Sequence, residues 1–124
     1  MTMSIFTLFG KTEEQKQEAE TKAQAWLEEH FPESELQSIF DEAAKDGKPY
    51  HYIEADFREV EYTQAFADFQ EKIAERAGGF AKASFNSTAG LEGRVDTITF
   101  WTEKPTFKSR IGAALNRPAA TFMA

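Results

Sequence analysis

Apolar side chains recur along this chain at two different spacings, and the changes of period mark out its elements. From residue 13 to about 30, Ala19, Ala23, Trp26 and Leu27 repeat at helical intervals. Thr12, with Gln15 three residues later, has the form of a capping box, and Pro32 stops the helix. The stripe is narrow and rich in alanine, which places this helix at the outside of the core with Trp26 as its anchor. Leu36, Ile39, Phe40, Ala43 and Ala44 form a second helical stripe with Gly47 as the expected C-cap. Only "FPES" separates the two, so an antiparallel αα-hairpin is the simplest arrangement.

The period then shortens. "YHYIEADF", residues 50–57, is enriched in aromatic and β-branched residues and bounded by Pro49 and "REVE", and it reads as a strand. A third helix over about residues 60–77 carries Tyr62, Ala65, Phe66, Phe69, Ile73 and Ala77, the best apolar stripe in the chain, and ends at "GG". Its aromatic side should centre the core. "FAKASF" and "RVDTITFWT" read as two further strands joined by the turn-rich "NSTAGLEG", a hairpin loop longer than the tightest kind. Beyond Pro105, helical spacing returns with Phe107, Ile111, Ala114 and Leu115 and breaks at "NRP". The predicted fold is α+β: an N-terminal αα-hairpin, then strand, helix, strand and strand forming a small, mostly antiparallel sheet with helices on one face, and a short C-terminal amphipathic helix.

Composition narrows the chemistry. At 124 residues and 41% hydrophobic, the chain suits one domain with its own core. Cysteine is absent, which removes disulfides, thiolate catalysis and zinc-thiolate sites. The N-terminal run of Ile5, Phe6, Leu8 and Phe9 lacks a basic stretch before it and is too short for a signal sequence or a span, so a cytoplasmic protein is expected.

Charge divides the chain. All 21 acidic and ten of the 14 basic residues lie in 1–103, an acidic domain of net charge −11. Residues 104–124 hold Lys104, Lys108, Arg110 and Arg117 and no acid, a basic amphipathic tail of +4. A total of −7 argues against direct nucleic-acid binding, which needs clustered cations.

Strand alternation sorts the chemistry of "YHYIEADF". His51, Ile53, Ala55 and Phe57 share one face, while Tyr50, Tyr52, Glu54 and Asp56 share the other. A His–carboxylate pair within the strand is therefore geometrically refused. Glu54 and Asp56 could hold a cation or act as acid and base, but the same alternation describes the solvated face of a half-covered sheet. His30, at a helix C-terminus, reads as a cap. Phe100 and Trp101 point to opposite faces, one into the core and the other exposed or covered by a terminus. Neither a phosphate-loop spacing nor a metalloprotease motif is present. No cofactor, metal site or catalytic group is expected.

These features favour a small acidic, non-enzymatic protein-binding module, of the inhibitor, immunity-protein or adaptor kind, that engages a basic protein partner. The residues expected to bind are Glu13, Glu14, Glu18, Tyr50, Tyr52, Glu54, Asp56, Lys104, Lys108 and Arg110. One alternative is a peripheral membrane or scaffold role using the N-terminal run and basic tail, with weak attachment at best. Another is a small-ligand or enzyme site around the Tyr50–Asp56 strand, drawing its groups from separate elements. Homo-oligomerisation stays open.

Overall fold

The computed structural model describes residues 12–90 and 93–118. The elements run α1 (Glu13–His30), α2 (Glu33–Asp46), β1 (Tyr50–Ala55), α3 (Gln64–Arg76), β2 (Ser84–Gly90), β3 (Gly93–Trp101) and α4 (Phe107–Asn116). The fold is α+β, and the sheet is fully antiparallel in the order β1-β3-β2. The apolar N-terminal run and residues 119–124 lie outside the described residues.

Local chemistry explains the helix boundaries. Thr12 Oγ1 accepts from Gln15 N, and Gln15 Oε1 accepts from Thr12 N, closing the capping box on α1. Gly47 ends α2 with φ of 74°, a conformation that glycine adopts without steric cost. α3 starts later than its periodicity suggests, because Thr63 is its N-cap and Tyr62 before it has a left-handed φ of 64°. Thr63 Oγ1 accepts from Phe66 N at 3.1 Å and donates to the Val60 carbonyl at 2.6 Å. Two further N–H groups of the α3 terminus, those of Gln64 and Ala65, donate to the Glu20 carboxylate of α1 at 2.8 Å each. A carboxylate there satisfies orphan donors and suits the helix dipole, so α1 is tied to α3. Tyr62, expected on the core stripe, is instead fully exposed.

Register assigns the sheet faces. His51 lies beside Phe100, Ile53 beside Ile98 and Ala55 beside Asp96, and on the far side of β3 Phe85 and Ser87 flank Ile98 and Asp96 in the same rows. This is the face that α1, α2 and α3 cover. Phe57 and Phe66 stack at 5.1 Å, Phe66 meets Phe85 edge-on at 5.1 Å, and Leu27, Leu36 and Ile73 close the cluster. Phe66 and Phe69 are buried, as expected of α3. On α1 it is Leu27 that is enclosed, while Trp26 is half-buried and stacks on His30.

The hairpin loop is shorter than its composition implies. Asn86 to Gly90 belong to β2, paired from Asn86↔Thr97 to Gly90↔Gly93. Polar residues are accommodated there because Ser87 donates to Asp96 and the rest sit on an edge strand. On the opposite face Tyr50, Tyr52, Thr97, Thr99 and Trp101 are covered by α4. Tyr52 donates to the Ala113 carbonyl at 2.6 Å, and Asn116 donates to Tyr50 Oη at 2.9 Å. The face expected to be solvated is thus largely roofed: Trp101 is buried while Phe100 fills the main core.

Candidate functional site

β1 ends the sheet, so one side of it has no strand partner among the described residues. The ladder fixes which groups point that way. Thr102 N donates to the Pro49 carbonyl, making 49/102 a hydrogen-bonded pair. Alternation then makes His51/Phe100, Ile53/Ile98 and Ala55/Asp96 the bonded pairs. The N–H and C=O groups of Tyr50, Tyr52 and Glu54 consequently face outward.

Along that edge runs an open cleft of about 890 Å³. It is lined by Glu35, Ile39, Glu42 and Asp46 of α2, by Tyr50, His51 and Tyr52 of β1, and by Asn116 of α4. Contributions from both faces of the sheet show that it follows the strand edge. Three acids and two bases, Lys45 and Lys48, line it, so its rim is net negative.

The side chains in the cleft are mostly engaged in holding the fold. His51 Nε2 donates to the Lys48 carbonyl at 2.8 Å, its ring stacks on Phe100 at 5.4 Å, and Asp46 Oδ2 lies 3.7 Å from Nδ1, beyond hydrogen-bond length. A carbonyl can only accept, so Nε2 carries the proton and the ring is a tether for the α2–β1 connection. Burial pushes the Tyr52 phenol up, Tyr50 adds to the shift and Arg117 partly offsets it, which keeps the donor to Ala113 protonated. Among the described residues no hydroxyl bonds to His51, and none of the activated pairs of nucleophilic catalysis is present.

The other anticipated residues are dispersed. Glu13, Glu14 and Glu18 are exposed on α1, Glu13 and Glu18 paired loosely with Lys16 and Lys22, and none of the three lines the cleft. Glu54 is exposed on β1. Asp56 falls beyond the end of β1, where it caps Arg58 N at 3.0 Å and pairs with the Arg58 guanidinium at 3.4 Å. The two carboxylates therefore do not form the same-face strand pair anticipated from alternation. Lys104, Lys108 and Arg110 belong to the α4 side, with the Arg110 guanidinium 5.9 Å from the Trp101 ring. His30 Nδ1 donates to the Trp26 carbonyl at 2.8 Å, a C-terminal cap as expected.

Sequence reasoning missed Asp96. Its buried carboxylate accepts from Arg94 Nε at 2.6 Å, Ser87 Oγ at 2.6 Å and Phe57 N at 2.9 Å, while Arg94 also pairs with Glu61. Burial alone would raise its pKa, but the hydrogen bonds from Arg94, Ser87 and Phe57 outweigh it and hold the carboxyl below the usual range. Three donors occupy this carboxylate, so it braces the turn at residues 56–63 and is not a free base. The signal in the sequence was faint: one acid on the apolar-facing parity of "RVDTITFWT".

Among the described residues no group of three or more His, Asp or Glu side chains is arranged to hold a metal ion, and no helix is long and apolar enough to cross a membrane. No protein-family model, curated protein or solved structure matches the chain.

Proposed function

We propose that this protein is a non-enzymatic binding module that receives a basic, extended segment of a partner protein along the outer edge of β1. The observation that carries the reading is the coincidence of a strand edge that is unpaired among the described residues with an acid-rimmed cleft of about 890 Å³. Main-chain groups of Tyr50, Tyr52 and Glu54 supply the hydrogen bonds of strand addition, in which backbone pairing gives affinity and side-chain pockets give specificity. Glu35, Glu42 and Asp46 favour Lys or Arg at alternate positions of the incoming segment. The remaining acids of α1 and α2, including Glu13, Glu14 and Glu18, act at longer range by steering a cationic partner and repelling anionic ones.

Selection of peptides from a random display library on the full chain tests this. The enriched sequences should alternate apolar residues with Lys or Arg, and their binding should weaken with added salt. The double variant Glu35→Lys/Glu42→Lys should weaken them at least tenfold, the effect of about 1.4 kcal/mol. Enrichment of acidic sequences, or affinity indifferent to that variant, would refute the reading.

A further inference from the structure

The helix on the far side of the sheet presents a second surface, independent of the cleft. α4 turns its small and polar side toward the sheet: Ala113 is buried and accepts from Tyr52, Gly112 lies against Tyr50, and the exposed Asn116 donates to Tyr50 Oη. A Cβ on Gly112 would sit only 3.2 Å from Tyr50 Oη, so the helix lies close on the strand. Its large apolar residues consequently point away from the domain. Phe107 is 83% exposed, Ile111 46% and Leu115 78%. At about 100° per residue these three and Ala114 fill one arc of roughly 100°, with Lys108 on one margin and Arg110 on the other. Lys104 precedes the helix, Arg117 follows it, and residues 104–118 contain no acid.

We propose that this face of α4 docks on an anionic lipid bilayer. An apolar arc with cations on both margins has the form of an interfacial helix. The apolar residues enter the headgroup boundary, and the flanking Lys and Arg reach the phosphates beside them. Charge placement in the fold favours that occupant. α1, α2 and α3 carry 14 acids against five bases, and they lie across the sheet from α4. Packed layers are about 10 Å apart, whereas charge is screened over about 8 Å at physiological ionic strength. The acidic helices therefore face away from a surface that α4 touches. On the α4 side, Glu54 of β1 and Glu103 stand against Lys104, Lys108 and Arg110, which leaves the face net positive, and the acids of α2 meet α4 only at Asn116, across the cleft. A second copy docked α4 to α4 would set Lys108 and Arg110 against the same cations, so charge complementarity selects the lipid over self-association. Three apolar side chains with only Lys104, Lys108 and Arg110 beside them make the contact reversible, since Arg117 turns back toward Tyr52.

The test is sedimentation of the full chain with vesicles of phosphatidylcholine alone and of phosphatidylcholine mixed with phosphatidylglycerol, alongside velocity sedimentation without lipid. A monomer that binds only the anionic vesicles, and less at higher salt, is the expected result. Lys104→Gln/Lys108→Gln should weaken that binding roughly thirtyfold, about fivefold per charge. Leu115→Asp should abolish it while leaving the circular dichroism spectrum unchanged, since the side chain supports nothing beneath it. Equal binding to neutral vesicles, binding that survives Leu115→Asp, or no binding to either vesicle would overturn the proposal. A lipid-free dimer that Ile111→Asp dissolves, without vesicle binding, would assign the face to a second copy instead.

Discussion

α3 and α4 carry apolar stripes of the same period, yet one stripe is buried in the core and the other faces solvent. The difference lies in what each sheet face offers. Beneath α1, α2 and α3 the sheet presents Ile53, Ile98, Phe85 and Phe100, so burying Phe66, Phe69 and Ile73 removes apolar area from water on both sides of the contact. Beneath α4 it presents Tyr50, Tyr52, Thr97 and Thr99, whose polar tips need partners in a covered layer. A helix turning Phe107 and Leu115 toward them would strand those hydroxyls. α4 instead offers the Ala113 carbonyl, the Asn116 amide and a glycine that permits close approach. Periodicity locates a stripe, and the chemistry of the facing sheet decides which way it points.

The largest expected effect tests the buried half of this contrast. Phe66→Ala should destabilise the fold by about 3–5 kcal/mol in denaturant melts, because it opens a cavity between Phe57 and Phe85. A loss below about 1 kcal/mol would mean that the α3 stripe is not the centre of the core, and the contrast with α4 would collapse.

Most of the fold was legible because its signals are local. Thr12 with Gln15, Gly47 as a C-cap and the aromatic spacing of α3 act within one turn of helix, and the structure keeps each of them. What escaped the sequence depends on distant partners. Thr63 rather than Val60 opens α3 because Glu20, more than 40 positions away, accepts from its first N–H groups. "NSTAG" pairs as strand because Asp96 across the ladder accepts from Ser87. The candidate site divides in the same way. Tyr50 and Tyr52 were identifiable from the strand pattern, whereas Glu35, Glu42 and Asp46 join them only once α2 is laid beside the β1 edge.

A middle-sized effect should appear at Asp96, the one charged group on the core-facing side of β3 that the helical layer encloses. Its carboxylate makes three hydrogen bonds, so Asp96→Asn should cost about 2 kcal/mol. The native pKa lies below the unfolded one, so this stabilisation is complete above about pH 4 and is lost as pH falls toward the native value. Thermal melts of the wild type should therefore decline steeply in acid, and those of Asp96→Asn more gently. Parallel pH profiles would show that the turn at residues 56–63 is held without this carboxylate.

The smallest effect belongs to the α4 side and sharpens the comparison most. Tyr52→Phe removes the donor to the Ala113 carbonyl and should cost about 1 kcal/mol, the value of one hydrogen bond, with amide exchange quickening in α4 before the core strands. Leu115→Ser, in the same helix, should change stability by no more than about 0.5 kcal/mol, since 78% of that side chain is already in water. The two together ask which side of α4 holds it to the domain. If Leu115→Ser costs more than Tyr52→Phe, the apolar stripe is covered in solution and the helix is held through the opposite face. If the order is as expected, the polar side anchors the helix, and the apolar arc is free for a surface outside the domain.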